Sequence, residues 1–290
     1  MTPKTPRDIR RMNFFWGNDR MSWLRYMTIY SFCKLNPDWS VTLHRCPDRG
    51  ITNKYWVEKN CQDFHSYDGP DYSGETEKLN LDVVEWTPPV NRPELGPSHL
   101  SNLFKWGLMA TDGGWYADLD ILWVRPMAHY LDTVEFSEDM AICYRRGYFS
   151  IGLLASRGNI GLFRHVLNVA NNATSECYQS AGVTALYTAM SCPVHVDGTP
   201  VEGNCLSKIR GMNPGLTIHN FPMRLVYPWD SLNVPELFLA RHTDLPERTI
   251  GLHWYAGHPL AQQVNRALNP KTVKTMETTI AHFARQVLEC

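Results

Sequence analysis

Apolar residues fall in short blocks separated by polar, glycine- and proline-rich stretches. Met12–Trp16 is an apolar run closed by Gly17 and predicts a buried first strand. Met21–Leu35 places Trp23, Leu24, Met27, Tyr30 and Cys33 near helical spacing, and Asn36-Pro37 ends that helix because proline disfavours helix at the residue before it. Val41–Cys46 reads as a second strand. Residues 58–94 hold nine acids among many Gly and Pro, which predicts a solvated, loop-rich stretch with a strand near Leu81–Trp86. Ser98–Thr111 has apolar residues at 100, 103, 104, 108 and 109, the pattern of an amphipathic helix, opened by a serine after Pro97 and stopped by Gly113-Gly114. Trp115–Val124 is predicted to be extended up to Arg125-Pro126. Met140–Tyr144 and Phe149–Ala155 form a strand pair, and Asn159–Val169 and Ala181–Met190 are helical. Gly and Pro recur from 193 to 246. Ile250–Tyr255 is a strand and Lys271–Leu288 a closing helix. Strands alternating with helices predict an α/β fold, and no composition break divides residues 12–290 into two domains.

Composition narrows the class. The 290 residues carry 28 Lys+Arg against 29 Asp+Glu, a net charge of -1, and 43% hydrophobic residues, which excludes disorder and fibrous structure. Near-neutral charge argues against a general nucleic-acid coat protein. No apolar run is long enough to span a bilayer, and the start of the chain lacks a signal-peptide stretch, so a soluble cytoplasmic protein is expected. Residues 1–11, with Lys4, Arg7, Arg10 and Arg11 against Asp8, are expected to be a loose basic arm. The eight cysteines lie no closer than thirteen positions apart, without zinc-site spacing, and read as reduced thiols.

The chemistry concentrates in Ser101–Asp120: a helix, a Gly-Gly break, then a strand leading into Asp118-Leu119-Asp120. On an extended chain, residues two apart point the same way. The two carboxylates can then converge on one point, where with no nearby cation they would repel, and a hard divalent ion such as magnesium or manganese resolves this. A glycosidase sets its two carboxylates on opposite sides of the scissile bond, roughly 5–9 Å apart, so a shared strand face suits chelation better. A solvated acidic strand end is the plainer alternative. A phosphotransferase or nuclease also uses paired carboxylates, but the chain has no P-loop and no kinase-like set of residues.

This segment resembles the sugar-binding DXD region of a glycosyltransferase family. That family includes initiating alpha-1,6-mannosyltransferases, bacterial capsule and lipopolysaccharide enzymes and, more distantly, the large clostridial glucosylating toxins. The family spacing of Ser-Asp, Arg, Gly-Gly, Tyr and Asp-x-Asp is kept without a gap from Ser101 to Asp120. Phe14-Phe15-Trp16-Gly17, Asn36-Pro37-Asp38-Trp39 and His253-Trp254 resemble further family segments. The chain departs at Asn102 (family Asp), Lys105 (family Arg) and Asn13 (family His). Asn102 and Lys105 stand where the family holds the donor sugar, so the family's glucose or mannose preference does not carry over to this chain.

The resemblance implies a GT-A type, Rossmann-like α/β domain over residues 12–290 with a C-terminal helical or irregular extension. Residues 12–126 would bind the nucleotide sugar and 127–290 would form the acceptor side. It implies a UDP- or GDP-sugar donor, a Mn2+ or Mg2+ cofactor and a retaining transfer. Asp120 would ligate the metal directly, and Asp118 would do so through water or hold the ribose. His253 would be a third ligand, with His258 as its alternative. Phe15 and Trp16 would line the nucleobase, with Trp16 stacked on it. Ser101 and Tyr116 would touch ribose or base, and Trp254 would cover the diphosphate. Arg145, Arg146, Arg157 and Arg164, then Lys208, Arg210 and Arg224, lie in stretches without an acid, which suggests a basic acceptor face. A saccharide or lipid-linked saccharide ranks ahead of hydroxymethylated bases in DNA. A non-catalytic nucleotide-sugar-binding module is the alternative of another class. Oligomeric state does not follow from the sequence.

Overall fold

β1 (Arg11–Trp16) explains the architecture, because its alternate residues enter two different cores. Met12, Phe14 and Trp16 pack with Trp115, Leu153 and Ala155 on one side, while Phe15 packs with Tyr116, Leu154 and Ile142 on the other. A strand buried on both faces needs a helical layer on each. The computed structural model describes residues 5–17, 20–46, 67–89, 92, 94–145, 148–174, 179–194 and 205–290. Lys4, Cys61, Arg146 and Cys177 of the sequence reading lie outside these residues.

Along the chain follow α1 (Trp23–Leu35), β2 (Ser40–Arg45), β3 (Asp82–Glu85), α2 (Pro97–Ala110), β4 (Gly114–Ala117), β5 (Ile121–Trp123) and α3 (Ala128–Leu131). Then come β6 (Met140–Arg145), β7 (Tyr148–Ser156), α4 (Gly161–Asn171), α5 (Val183–Ala189), α6 (Cys205–Met212) and β8 (Ile218–Asn220). The chain closes with α7 (Pro235–Phe238), β9 (Gly251–His253), α8 (Pro259–Ala267) and α9 (Thr279–Glu289). The main sheet has the order β3-β2-β1-β4-β7-β6-β8. Its β3-β2-β1-β4 half is parallel, the order that opens a Rossmann-like sheet. β7 is antiparallel to both β4 and β6, and β8 runs parallel to β6. The expected α/β class therefore holds, in one mixed seven-stranded sheet.

α1 sits inside the protein. Ile29 and Phe32 face the sheet, and Trp23, Leu24 and Met27 face a third core built with α7, α8 and α9. Ser22 caps its start by accepting from the Arg25 N–H (3.3 Å). Asn36 ends it: its amide donates to Phe32 O (3.0 Å) and its carbonyl accepts from Met127 N (2.7 Å). The buried Asn thus ties the Asn36-Pro37 turn to the chain that follows β5.

Several boundaries differ from expectation. α2 begins with Pro97 as its first residue after Gly96, so Ser98 lies within the helix instead of capping it. The expected closing helix is a 3-10 turn at Thr272–Lys274 followed by α9, and α8 precedes it unannounced. α6 forms within the Gly/Pro-rich region. The expected basic arm is docked over its described residues. Pro6 is buried and its carbonyl accepts from Trp115 Nε1 (2.9 Å), Arg7 donates to Val134 O (3.0 Å), and Arg10 pairs with Asp38. Burial of Trp115 in a wholly apolar site leaves its N–H in need of an acceptor, and the arm supplies it.

Gly113 stops α2 at φ 65°, and a Cβ there would come within 2.3 Å of Gly158 N and 2.4 Å of Ser156 O. Gly107, in the middle of the same helix, has nothing within 4 Å of such a Cβ. Gly113→Ala is expected to lower unfolding free energy by about 2 kcal/mol or more, while Gly107→Ala raises it by about 0.5–1 kcal/mol. Urea unfolding of both variants measures the contrast, and equal effects would contradict it.

Candidate active site

The parallel half of the sheet positions the site. β1 leads to β2 on one side and borders β4 on the other, while α1 and α2 lie on opposite faces. Such a reversal of strand order opens a crevice at the carboxyl ends of the strands. Trp16 ends β1, and Asp118 follows the last residue of β4.

At Asp118 the chain turns a corner. The Asp118 N–H still donates to Gly152 O of β7 (2.8 Å), Leu119 then turns into the core, and β5 leaves the main sheet to pair with β9. The single strand expected over Trp115–Val124 is therefore two strands in two sheets. The acids flank a turn between them, so the corner brings them together and the pleat does not. Asp118, Asp120 and His253 each offer a ligand atom within 4.8 Å of the others.

Each carboxylate uses one oxygen on the protein. Asp118 Oδ1 accepts from Lys105 Nζ (3.0 Å) and from the Tyr116 hydroxyl (2.9 Å), and its Oδ2 takes no hydrogen bond from the described residues. Asp120 Oδ2 accepts from Ala256 N (3.0 Å), while its buried Oδ1 has no hydrogen-bond partner among them. That Oδ1 lies 3.1 Å from His253 Nε2 without the alignment of a hydrogen bond. A carboxylate oxygen from each acid and an imidazole nitrogen in one corner fit a hard divalent cation. Burial raises the Asp120 carboxyl, but the facing His253, the Arg25 charge and the Ala256 N–H together hold it well below the usual carboxylate range. It is ionised and ready to ligate.

The premise that no cation lies near the acids is corrected by the fold. Lys105 is buried, at 1% exposure, against an Asp118 that is 28% exposed, and its ammonium also donates to Ile151 O (3.1 Å). Residues 101 and 105 are one helical turn apart on α2 and both reach the corner. Ser101 Oγ lies 2.7 Å from the Tyr116 hydroxyl, giving a chain from Ser101 through Tyr116 to Asp118. Burial, then the Asp118 charge, pushes the Tyr116 phenol well above its ordinary value, so it stays a donor.

The other expected residues divide. Trp16 is 5% exposed and Trp254 fully buried, with the Arg25 guanidinium over both rings. Phe15 is packed by Phe104 (5.3 Å between centroids) and Trp86 (5.4 Å), inside the α2-side core. Asn102 is buried against Gly182, next in the chain to Ala181, whose carbonyl accepts from Trp106 Nε1. His258 caps α8, its Nδ1 accepting from Leu260 N (3.2 Å), and it is not in the acid cluster.

Three neighbours escaped the sequence reading. A Cβ on Gly152 would approach the Tyr227 hydroxyl to 2.8 Å and His253 Nε2 to 3.2 Å, so the floor of the corner requires bare backbone. Tyr227 is buried there, its hydroxyl without a hydrogen-bond partner among the described residues. Arg25 is the third, and its signal was visible: a charged residue among the apolar residues that open α1.

Compared with known proteins, the sequence matches no family model and no curated protein. Solved structures similar to this fold include the PaToxG glycosyltransferase, at 14% identity and a TM-score of 0.44, over 62% of this chain and 68% of that one. They include the galactosyltransferase LgtC in complex with donor and acceptor sugar analogues, at 13% identity and a TM-score of 0.40, over 96% of this chain and 94% of that one. They also include the glycosyltransferase GlyE of Streptococcus pneumoniae, at 12% identity and a TM-score of 0.41, over 96% of this chain and 65% of that one. All three scores lie below 0.5, so a functional reading rests on the geometry of the corner.

Proposed function

We propose that this protein is a metal-dependent glycosyltransferase that moves a sugar from a UDP- or GDP-sugar to a hydroxyl acceptor. The observation that carries the reading is the cluster of Asp118, Asp120 and His253, each offering a ligand atom within 4.8 Å of the others at the carboxyl end of β4, with Asp120 Oδ1 left without a hydrogen-bond partner among the described residues. A crevice at the strand-order reversal is where a nucleotide binds in such sheets, and the DXD resemblance falls on the same residues. Asp118, Asp120 and His253 would hold Mn2+ or Mg2+, which supplies Lewis-acid stabilisation of the departing diphosphate.

The chain's own residues do the rest. Lys105, fixed by Asp118 and Ile151 O, holds its remaining N–H toward the donor sugar. Tyr116 and Ser101 orient Asp118 and present hydroxyls to the ribose. The bond between the anomeric carbon and the diphosphate oxygen breaks with its electron pair leaving on the diphosphate. The acceptor oxygen bonds to the same carbon from the same face and passes its proton to the departing group. Retention follows from that front-face approach, in keeping with the resemblance. Catalysis in this scheme is positioning and leaving-group stabilisation.

A saccharide or lipid-linked saccharide suits the acceptor better than DNA, because the basic stretch between β6 and α4 does not form one face. Arg145 ends β6 on the carboxyl edge of the sheet. Arg157 follows the antiparallel β7 at the opposite edge, paired with Asp139 (2.9 Å), and Arg164 donates to Asn159 there (2.6 Å).

Asp120→Asn keeps an acceptor for the Ala256 N–H but removes a charged ligand. It is expected to cut Mn2+-dependent hydrolysis of nucleotide sugars by roughly 100-fold or more with the thermal unfolding midpoint little changed. Undiminished metal-dependent turnover in this variant would sink the proposal.

Lys105→Ala removes one side of a half-buried ion pair. A loss of about 2–3 kcal/mol of stability is expected, below that of a fully buried pair because Asp118 is 28% exposed. Calorimetric titration should show weaker binding of nucleotide sugar and unchanged binding of the free nucleoside diphosphate. Equal weakening of both would contradict the role given to Lys105.

A further inference from the structure

Cys192 lies just past α5 and Cys205 opens α6, with residues 193–204 between them in the chain. Both side chains are buried in the same apolar cluster as Phe149, Tyr187 and Ile209. Two backbone contacts converge on that spot. The Cys192 N–H donates to Tyr187 O (2.9 Å), and the Cys205 N–H donates to the Tyr144 hydroxyl (3.2 Å). The Tyr144 and Tyr187 rings both pack on Phe149, at 4.5 and 5.6 Å between centroids. Lys208, a turn into α6, donates to the carbonyl of Ser191, the residue before Cys192 (2.9 Å). The start of α6 is thereby held against the chain that leaves α5, and the two thiols meet in a hydrogen bond.

Both sulfurs are free thiols in this structure. A thiol is a weak donor and a weak acceptor, so the contact between them adds little to the fold. Burial and the facing Cys205 push the Cys192 thiol up to about 12, so it stays protonated at neutral pH and is unreactive while the fold is closed. Cys143 and Cys290 meet other partners: Cys143 is hydrogen-bonded to Ser150, and Cys290 Sγ donates to Gln286 O (3.0 Å). A facing pair can do what a single buried thiol cannot, which is to lose two hydrogens and join. The bond would close a ring over residues 192–205, and constraining that length of chain in the unfolded state favours the folded one.

We propose that Cys192 and Cys205 are a disulfide-forming pair, which clasps the chain after α5 to the start of α6 when the protein meets a small-molecule disulfide such as glutathione disulfide. One cysteine gives its proton to solvent and attacks a sulfur of glutathione disulfide, and one glutathione leaves as thiolate with the bonding pair. The second cysteine gives up its proton in turn and attacks the protein sulfur of the mixed disulfide, which expels the second glutathione. Two protein thiols are oxidised, and one glutathione disulfide is reduced to two glutathiones. Because both sulfurs are buried, exchange proceeds through local opening and is slow in the native state. The closed bond is shielded from reductant in the same way. The clasp does not depend on the transferase reading.

The test uses the whole chain, equilibrated in buffers of stepped glutathione to glutathione disulfide ratio. Equilibration starts from both the reduced and the oxidised side, so that slow exchange is not mistaken for none. Acid quenching, alkylation and peptide mapping by mass spectrometry follow. The expected result is a linked Cys192–Cys205 peptide, about tenfold or more above any other cysteine pairing, that dithiothreitol removes. Closing a ring of this size is expected to raise the thermal unfolding midpoint by roughly 5 °C over the reduced chain. Cys192→Ala and Cys205→Ala should each abolish that rise. Recovery of both cysteines alkylated, from either start and at the most oxidising ratio, would overturn the proposal. A preferred linkage of either one to another cysteine does the same. So does a midpoint rise that persists in the alanine variants, since another bond is then responsible. Where an alanine variant does not fold, the peptide map of the wild-type chain decides by itself.

Discussion

Two carboxylates crowded against one imidazole in a half-buried corner must be held there by opposing charge. At an effective dielectric constant of about 20, two such groups roughly 4–5 Å apart repel by about 3–4 kcal/mol. The fold counters this from both sides. Lys105 reaches Asp118 from α2, and Arg25 approaches the Leu119 carbonyl and Asp120 from α1. The two helices lie on opposite faces of the sheet, so the corner between β4 and β5 is where their charges can meet across it. The sheet order, the helix placement and the charge balance of the site are one arrangement.

The compensation is incomplete in an informative way. Lys105 and Tyr116 share one oxygen of Asp118, and Ala256 takes one oxygen of Asp120. A structural ion-pair cluster would satisfy all four oxygens, because an unpartnered buried acceptor is costly. Here Asp120 Oδ1 is buried without a hydrogen-bond partner among the described residues and lies 3.1 Å from His253 Nε2. The same logic extends along the wall to Trp16, Trp254 and Tyr227, whose buried polar atoms also lack partners among the described residues. Other unpartnered buried atoms, such as Trp123 Nε1, Asn171 Oδ1 and His282 Nε2, lie away from the corner, so it is the meeting of such atoms with the acid cluster that fits a ligand site.

Gly152 shows how far the packing serves this corner. It lies on β7 opposite Asp118, receives that residue's N–H, and leaves beside His253 Nε2 the space that any side chain would fill. β7 continues past the end of β4 as far as Tyr148, so one long strand supplies the floor of the corner and one edge of the crevice. Nothing in the local sequence around residue 152 marks it, since the need arises from strands far apart in the chain.

Read alone, the sequence determined the features that depend on local periodicity. These are the α/β class, the α2 helix, the Gly-Gly stop, the β6–β7 pair, and the acid pair with its spacing to Ser101, Lys105 and Tyr116. Each follows from neighbours along the chain, where side-chain direction repeats every two or about 3.6 residues. Tertiary structure alone decided what depends on distant segments meeting. It split the expected strand Trp115–Val124 at the acids, because β9 captured β5. It docked residues 5–11 on Trp115, divided the basic stretch between opposite edges of the sheet, brought His253 and not His258 to the corner, and set Arg25 between two tryptophans more than two hundred residues apart. Charge balance and hydrogen-bond satisfaction are summed over space, and no window of sequence contains that sum.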